Sequence, residues 1–308
     1  MTTVALISHV FDMSVMAAPL RAADPTLDLA VWPDPRCLQA EVAVCWAPPP
    51  GTYARMPKLR LVHGVAAGVD NLLQGQDLGG TPLCRVVDPG LAAGMEEFVR
   101  WGVTLYHREI DLALANQRDR RWLRPVQRPA AEFRVGVMGL GELGGRIATL
   151  LLQAGYDVAG WSRSEKALPG VRTFAGDAEL AAFAARCDAL VVLLPLTAAT
   201  RGILDRRLFD ALPDRAALIH VGRGEHLVPA DLIAALASGR LRGALIDVFA
   251  SEPLPPDDPL WATPGVIVTP HMASMASFVT VGRQVAENIR RLQAGEPLLN
   301  VVDVARGY

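Results

Sequence analysis

Three side chains in the second half of the chain have the chemistry needed to reduce a ketone. They are Arg223, Glu252 and His271, and each follows a short apolar segment. A guanidinium binds a carboxylate and polarises a carbonyl, an imidazolium gives a proton to the carbonyl oxygen, and a carboxylate holds that imidazolium protonated. These types suit a 2-oxo acid, with His271 as proton donor. Taken singly, each has a structural alternative: a loop anchor, a surface charge and a histidine with its hydrogen bonds made at a strand end.

The predicted strands around these residues place all three at the same end of one sheet. Apolar, β-branched runs predict six strands that alternate with helical stretches such as 142–154 and 230–238. The strands are predicted at 134–138, 158–161, 190–194, 217–221, 244–248 and 266–269. This alternation is typical of a doubly wound parallel sheet, whose ligands bind at the carboxyl ends of the strands. We therefore expect the three side chains to converge beside a ligand.

The first part of the chain predicts a second, smaller lobe. Short strands are expected at 4–8, 29–32, 42–46, 60–63 and 84–87. One long helix, at about 92–117, is expected to bridge the lobes or to contact another subunit, and a helix at about 274–294 returns the chain to the first lobe. The predicted fold is α/β, with a Rossmann cofactor domain at 99–275. A smaller flavodoxin-like α/β substrate domain takes up 1–98 and 276–308.

A glycine motif directly follows the first strand of the predicted Rossmann sheet. Gly139 permits a tight turn, Gly141 lets the backbone approach a pyrophosphate, and Gly144 lets helix and strand pack closely. The following helix presents free N–H groups at its N-terminus to the phosphates. The motif by itself is weak evidence, but with its flanking strand and helix it predicts dinucleotide binding.

The end of the next strand indicates which dinucleotide is preferred. NAD-binding proteins carry an acidic residue about 20 positions after the motif, whereas this chain has Ser162, Arg163 and Ser164 there. Asp157 opens the strand and should lie at the far edge of the sheet. A guanidinium with neighbouring hydroxyls suits a 2′-phosphate. NADP(H) is therefore the predicted preference, with NAD(H) possible; the alternative is a solvated surface arginine.

Composition excludes several other classes of function. The 308 residues are 51% hydrophobic and 20% charged with a net charge of −2, which gives no basic footprint for nucleic acid. No apolar run approaches the roughly 20 residues that cross a bilayer, and the start lacks a signal-peptide pattern. The four cysteines lie far apart, so neither disulfides nor a metal site is expected. We expect a cytoplasmic protein that binds a small molecule, with no metal.

The remaining histidines are interpreted as structural. His9 and His63 lie at strand ends of the first lobe, and His107 lies on the long helix. His220 and His226 flank Arg223 but have no obvious acidic partner to orient them.

With these motifs the chain resembles the D-2-hydroxyacid dehydrogenase family, most closely its glyoxylate/hydroxypyruvate reductase branch. The resemblance covers nearly the whole chain. It is carried by 139–144, 161–164, 194–200, 221–224, 245–249, 251–255, 269–271 and 303–308. It implies the catalytic roles given above and a homodimer built largely from the cofactor lobe.

The resemblance also implies ligand contacts. The cofactor contacts are Gly139, Gly141, Glu142, Leu143, Gly144, Ser162, Arg163, Ser164, Leu194, Pro195, Thr200, Val221, Gly222 and Asp247. Asp247 either accepts a hydrogen bond from the carboxamide or fixes its own loop. The substrate contacts are the backbone N–H groups of Ala66, Ala67 and Gly68, together with Trp46 and Met95. The last two could equally be core residues.

One departure from the family bears on specificity. Reductases of this branch tend to carry an arginine a few positions after the histidine, whereas this chain is uncharged from Ala273 to Phe278 and next carries Arg283. A less polar pocket would accept bulkier oxo acids. Two alternatives stay open: a non-catalytic, dinucleotide-sensing corepressor on the same fold, and a formate- or phosphite-oxidising relative. An L-lactate-type enzyme is disfavoured because a whole lobe precedes Gly139.

Overall fold

The computed structural model describes residues 2–304, and for Pro89 the backbone alone. The chain divides into two compact units: unit 1 is Met1–Leu91 with Met275–Tyr308, and unit 2 is Ala92–Ser274. The boundaries at 91/92 and 274/275 fall seven residues and one residue before those predicted. The first lies inside the helix Pro89–His107. The helical pattern in the sequence is continuous here, so it does not show at which residue the boundary between the units falls.

Unit 1 is built on a five-stranded parallel sheet. Its strands are β1 (Thr3–Ile7), β2 (Asp28–Val31), β3 (Val42–Cys45), β4 (Leu61–Gly64) and β5 (Leu83–Cys84). Their order, β2-β1-β3-β4-β5, is that of flavodoxin-like sheets. Helices α1 (Ala17–Ala23) and α2 (Asp70–Leu73) follow β1 and β4. The last helix, Phe278–Ala294, buries Val281, Val285 and Ile289 in the same core as β1 and β3. The predicted small α/β lobe is confirmed.

Unit 2 contains a seven-stranded parallel sheet. The helices α3 (Pro89–His107) and α4 (Ile110–Arg118) precede β6 (Arg134–Met138). The following elements are α5 (Glu142–Gln153), β7 (Asp157–Ser162), β8 (Arg172–Ala175), α6 (Gly176–Ala184), β9 (Ala189–Val192), α7 (Arg206–Ala211), β10 (Ala216–His220), α8 (Pro229–Ala237), β11 (Leu241–Ile246) and β12 (Val266–Val268). The order is β12-β11-β10-β9-β6-β7-β8, which reverses direction between β6 and β9. This is the predicted doubly wound Rossmann arrangement, with its ligand crevice expected at that reversal.

The strands of unit 2 are apolar at nearly every position because both faces of the sheet are covered. In β9, Leu190 and Val192 face one buried cluster, whereas Ala189 and Val191 face the other. Alternation of side chains along a strand explains this division. Along residues 2–304, no helix combines the length and the apolar character needed to cross a membrane.

Two details differ from the sequence-based expectation. The sheet has a seventh strand, β8, which was missed because its four residues begin with an exposed arginine and lie at an edge. The helix predicted at 92–117 is two helices, α3 and α4, because Glu109 adopts φ 54° between them. A left-handed residue cannot continue a right-handed helix, and the residue type does not announce that conformation.

Candidate active site

The glycine motif forms a tight turn between β6 and α5. Gly139 has φ 104°, and a Cβ there would lie 2.9 Å from the carbonyl oxygen of Leu193. At Gly144 a Cβ would lie only 1.7 Å from the carbonyl oxygen of Gly139. Both positions therefore require glycine, one for its backbone conformation and the other for the close approach of helix to strand.

The same turn fits a dinucleotide. Gly141 is the N-cap of α5, and a Cβ built on it would meet no atom of the described residues within 4 Å. Within residues 2–304, no side chain forms a capping hydrogen bond at this end of the helix. The N–H groups of Gly141, Glu142 and Leu143 therefore belong to a surface that a pyrophosphate can approach, and their contacts with the cofactor stay predictions. These residues would hold the phosphates of a nicotinamide dinucleotide.

The end of β7 carries the residues predicted to read the 2′-phosphate. Ser162 is buried and its hydroxyl donates to the carbonyl oxygen of Ser164 over 2.7 Å, which folds the chain back at this point. Arg163 and Ser164 are exposed directly after the strand. Asp157 is the first residue of β7, so it lies at the opposite end of the strand from Ser162. Its carboxylate pairs there with Arg186 at 2.6 Å. A cation, rather than an acid, thus follows this strand.

Glu252 and His271 lie beyond the ends of neighbouring strands and form one hydrogen-bonded pair. Glu252 follows β11 and His271 follows β12. The Nδ1 atom of His271 lies 2.8 Å from Oε2 of Glu252, and Oε1 of Glu252 accepts from the backbone N–H of Phe249 over 2.9 Å. About a third of each side chain is exposed. Since a carboxylate only accepts, Nδ1 of His271 carries a hydrogen, and Nε2 is the nitrogen that could donate to a substrate.

His271 is held in place by Asp247. Its backbone has φ 50°, which costs an ordinary residue roughly 1–2 kcal/mol. The side chain of Asp247 accepts from Thr269 Oγ1 at 2.6 Å and from the N–H groups of Met272 and Ala273, each at 2.9 Å. Asp247 is 1% exposed, and burial raises the pKa of its carboxyl although these hydrogen bonds act against the rise. Of the two roles anticipated for Asp247, fixing its loop is the one visible in these contacts, and a carboxamide contact stays a prediction.

Arg223 lies in the turn that follows β10, next to the loop that carries Glu252. A Cβ at Gly224 would lie 1.9 Å from the carbonyl carbon of Phe249, so the two loops touch backbone to backbone. The guanidinium of Arg223 donates from Nη1 to the carbonyl oxygen of Gly222 over 2.8 Å, and the side chain is half-buried. The three predicted catalytic residues therefore follow three adjacent strands, β10, β11 and β12.

Further predicted cofactor residues lie after β9 and β10. Thr200 Oγ1 donates to the carbonyl oxygen of Pro195 over 2.7 Å and accepts from the N–H of Thr197 over 2.8 Å, which closes the loop after β9. Leu194 and Val221 are buried. Gly222 packs on the ring of His226, where a Cβ would lie 3.0 Å from Nδ1. These residues lie at the strand ends that face the predicted crevice, and their cofactor contacts stay predictions.

The predicted substrate residues are divided between the two units. In unit 1, Ala66, Ala67 and Gly68 are half-buried between β4 and α2, and the carbonyl of Ala66 accepts from Val86 over 3.0 Å. Trp46 is half-buried against the core of unit 1 and Met95 against one core of unit 2. Both therefore have a packing role, and the substrate contacts of all five stay predictions.

One feature of these strand ends was not identified as functional from the sequence: the contacts of His220 and His226 with the backbone of Arg223. Each histidine is three residues from Arg223, a symmetry visible in the sequence. Along residues 2–304, no group of three or more His, Cys, Asp or Glu side chains is placed to bind a metal.

Comparison with known proteins agrees with this geometry. Residues 102–273 match the family model described as D-isomer specific 2-hydroxyacid dehydrogenase, NAD binding domain. A D-isomer specific 2-hydroxyacid dehydrogenase family protein from Klebsiella pneumoniae 342 is 45% identical, with a TM-score of 0.91, covering 98% of this chain and 97% of its own.

Two further crystal structures contain a nicotinamide cofactor. A D-isomer specific 2-hydroxyacid dehydrogenase from Xanthobacter autotrophicus Py2, in complex with NADPH and MES, is 43% identical with a TM-score of 0.86, covering 100% of this chain and 99% of its own. The NADPH-dependent glyoxylate/hydroxypyruvate reductase from Sinorhizobium meliloti, in complex with NADP and sulfate, is 36% identical with a TM-score of 0.88 and full coverage of both chains.

The fold, the matched family model and these relatives define a nicotinamide-dependent oxidoreductase. The chain belongs to the D-isomer specific 2-hydroxyacid dehydrogenase family. Its matched NAD-binding domain, residues 102–273, lies within unit 2.

Proposed function

We propose that the protein is an NADPH-preferring reductase that converts small 2-oxo acids of the glyoxylate/hydroxypyruvate type into D-2-hydroxy acids, with His271 as the proton donor. The observation that carries the proposal is the 2.8 Å pair between His271 Nδ1 and Glu252 Oε2. A histidine so oriented presents its other nitrogen to a substrate oxygen, and the guanidinium of Arg223 follows the strand two places along in the sheet. We propose unit 2 as the cofactor domain and unit 1 as the substrate domain.

The chemistry of the reduction divides between the cofactor and the chain. Bound NADPH supplies a hydride to the keto carbon. Arg223 binds the carboxylate of the oxo acid and stabilises the negative charge that develops on the keto oxygen. His271 delivers the proton from Nε2 to that oxygen, so that the ketone gains one hydride and one proton and becomes an alcohol. Glu252 holds the imidazolium through Nδ1 and keeps Nε2 aimed at the substrate.

The His271→Ala variant tests the proton donor. A general acid contributes about 10²- to 10⁴-fold to rate, and kcat should fall by that factor. The dissociation constant for NADPH, measured by nucleotide fluorescence, should stay within about twofold because the pyrophosphate turn at Gly139 is untouched. A variant with nearly normal kcat would remove His271 from the role. Tight NADPH binding without turnover in the unmodified protein would instead favour a nucleotide sensor.

The NADPH preference rests on Arg163 and its neighbours Ser162 and Ser164. The arginine directly after β7, where NAD-binding proteins carry an acid, and the NADPH and NADP bound by the two relatives support it. Losing one charge-assisted hydrogen bond costs roughly 1.5–3 kcal/mol, which corresponds to about 10- to 100-fold in binding. Arg163→Ala should raise the KM for NADPH by that factor and leave the KM for NADH within about twofold. Equal effects on both would show that Arg163 does not bind the phosphate.

The proposed substrate class is supported by the relative in Sinorhizobium meliloti, and its proposed breadth by the uncharged stretch after His271. Glyoxylate and hydroxypyruvate should be reduced, and phenylpyruvate should compete better here than in enzymes with an arginine in that stretch. The assay follows loss of NADPH absorbance with each acid. A kcat/KM for phenylpyruvate below that for glyoxylate by more than about 10³-fold would contradict the less polar pocket.

We further propose that the protein is a homodimer formed through the segment around α3 and α4. Exposed apolar side chains are concentrated there, with Trp122 99% and Trp101 48% exposed. The others are Ile110, Leu114, Leu123 and Val126. A patch of this kind marks an association surface. Light scattering should show a dimer, and Trp122→Ser should shift it towards monomer, whereas Trp261→Ser, an exposed tryptophan elsewhere in unit 2, should not.

We also propose that the protein is cytoplasmic. The four cysteines are free and buried, which suits a reducing compartment.

A further inference from the structure

Two histidines hold the backbone of Arg223 from opposite sides. The Nε2 atom of His220 lies 2.9 Å from the carbonyl oxygen of Arg223, and the N–H of Arg223 donates to Nδ1 of His226 over 3.1 Å. Both histidines are 0% exposed. The peptide groups on either side of this residue are therefore each held by an imidazole.

The hydrogen-bond directions define the proton on His226. Its Nδ1 accepts from a backbone N–H, so it carries no hydrogen. Its Nε2 lies 3.2 Å from the carbonyl oxygen of Pro195, which accepts only, so Nε2 carries the hydrogen. A second proton on Nδ1 would point at the N–H of Arg223. The geometry thus requires the neutral Nε2–H tautomer.

His220 is neutral for a related reason. Burial lowers the pKa of His220 to about 3, although its hydrogen bond to the carbonyl of Arg223 acts against this fall. Its Nε2–H donates to Arg223, because a carbonyl oxygen has no proton to give. Two neutral rings, 5.7 Å apart between centroids, therefore enclose the turn.

His226 also reaches the loop after β9. The carbonyl oxygen of Pro195 that receives its Nε2–H also receives the hydroxyl of Thr200 over 2.7 Å. Pro195 and Thr200 are predicted cofactor contacts, and Arg223 is the proposed carboxylate ligand. One imidazole thus links the backbone under the substrate arginine to the backbone of a cofactor loop.

We propose that His226 is a positioning residue that sets the Arg223 turn against the Pro195 loop, through an acceptor at Nδ1 and a donor at Nε2. The inference rests on the proposed function in one respect, the role of Arg223 towards the oxo acid. His226 touches neither reacting atom. It acts by holding two backbone segments at a constant separation. The hydrogen bond with Arg223 affects binding of the oxo acid, and the hydrogen bond with Pro195 affects binding of the cofactor.

Two substitutions separate the two hydrogen bonds. In His226→Asn the amide oxygen takes the place of Nδ1 and accepts from Arg223, but the shorter side chain does not reach Pro195. In His226→Gln the amide nitrogen takes the place of Nε2 and donates to Pro195, but the acceptor for Arg223 is lost. His226→Asn should raise the dissociation constant for NADPH about 3- to 10-fold, the size of one neutral hydrogen bond, with the KM for the oxo acid within about twofold. His226→Gln should give the opposite pattern.

A buried histidine elsewhere in unit 2 provides the matched control. His107 has Nε2 2.8 Å from the carbonyl of Arg128 and Nδ1 3.2 Å from the hydroxyl of Tyr156. His107→Asn and His107→Gln should lower the thermal midpoint as the His226 variants do, yet leave both binding constants unchanged. If the His226 and His107 variants behave alike, His226 is only structural and the proposal is overturned.

Spectroscopy tests the tautomer without activity. The ¹⁵N spectrum of the ring nitrogens at pH 7 should show, for the signal lost in His226→Asn, a protonated Nε2 and an unprotonated Nδ1. A protonated Nδ1 would overturn the proposal. The spectrum and the NADPH constants test His226 even if no 2-oxo acid is reduced, whereas absence of turnover in the unmodified protein contradicts only the proposed function.

Discussion

Replacing Asp247 with asparagine removes a charge and one acceptor from beneath His271. The carboxylate accepts three hydrogen bonds, two on Oδ1 and one on Oδ2. An asparagine has a single accepting oxygen. If that oxygen keeps the hydrogen bonds from Thr269 and Met272, the amide NH₂ points at the buried N–H of Ala273, and that hydrogen bond is lost.

The cost follows from the lost hydrogen bond. One hydrogen bond to a charged acceptor contributes roughly 1.5–3 kcal/mol, and we take about 2 kcal/mol for the loss in the free energy of unfolding. In a domain of this size each kcal/mol corresponds to about 2–4 °C, so the thermal midpoint should fall by about 4–8 °C. His271 is also held at φ 50° by this turn, and its displacement should lower kcat by about 10- to 100-fold.

Calorimetry and steady-state kinetics measure these two effects. Asp258→Asn is the matched control, because within residues 2–304 the carboxylate of Asp258 accepts from a single backbone N–H, that of Leu260 over 2.9 Å, and an asparagine oxygen can replace it. The dissociation constant for NADPH separates the two roles of Asp247: it stays constant if the residue only fixes the turn and rises if it also contacts the carboxamide. A variant with an unchanged midpoint and unchanged kcat would refute the reasoning.

Three further measurements follow from the structure. Gly141→Ala should keep its thermal midpoint within about 1 °C but bind NADPH at least about tenfold more weakly, because the new methyl occupies space open to the pyrophosphate. Gly144→Ala should instead lower the thermal midpoint, because its Cβ would lie 1.7 Å from the carbonyl oxygen of Gly139. Equal midpoints for Gly144→Ala and the unmodified protein would contradict this close approach. Burial lowers the pKa of His63 to about 4 and that of His220 to about 3, so below pH 6.5 the unfolded chain takes up protons that the folded chain does not. Urea unfolding should therefore show stability falling by about 2 kcal/mol per histidine between pH 6.5 and pH 5, and His63→Asn should remove about half of that slope. Burial raises the pKa of all four cysteine thiols, to between about 11 and about 12. A thiol reagent should therefore modify none of them in the folded protein and all four in guanidinium. Rapid modification of the folded protein would contradict their burial.

The fold was largely predictable from the sequence because its signals are local. Apolar runs of four to six residues mark strands covered on both faces, and a glycine at φ 104° between a strand and a helix leaves a recognisable motif. The elements that were missed lack such a signal. The edge strand β8 begins with an exposed arginine, and the break at Glu109 depends on a conformation that its residue type does not predict.

The sequence by itself determined which chemical groups are available and their order along the strands. Arg223, Glu252 and His271 each follow a separate strand, and the parallel order of those strands sends all three to one edge. The arginine at position 163, where NAD-binding proteins carry an acid, is likewise visible without coordinates.

Only the tertiary structure decided which atoms meet. Glu252 and His271 are 19 positions apart, Asp247 and Ala273 are 26 apart, and Pro195 and His226 are 31 apart, yet each pair is joined by a hydrogen bond. Such contacts depend on strand register and on backbone angles in turns, which arise from packing across the whole sheet. For that reason the sequence identifies candidate functional residues, whereas their hydrogen-bond partners, and which histidine nitrogen carries the hydrogen, follow only from the folded structure.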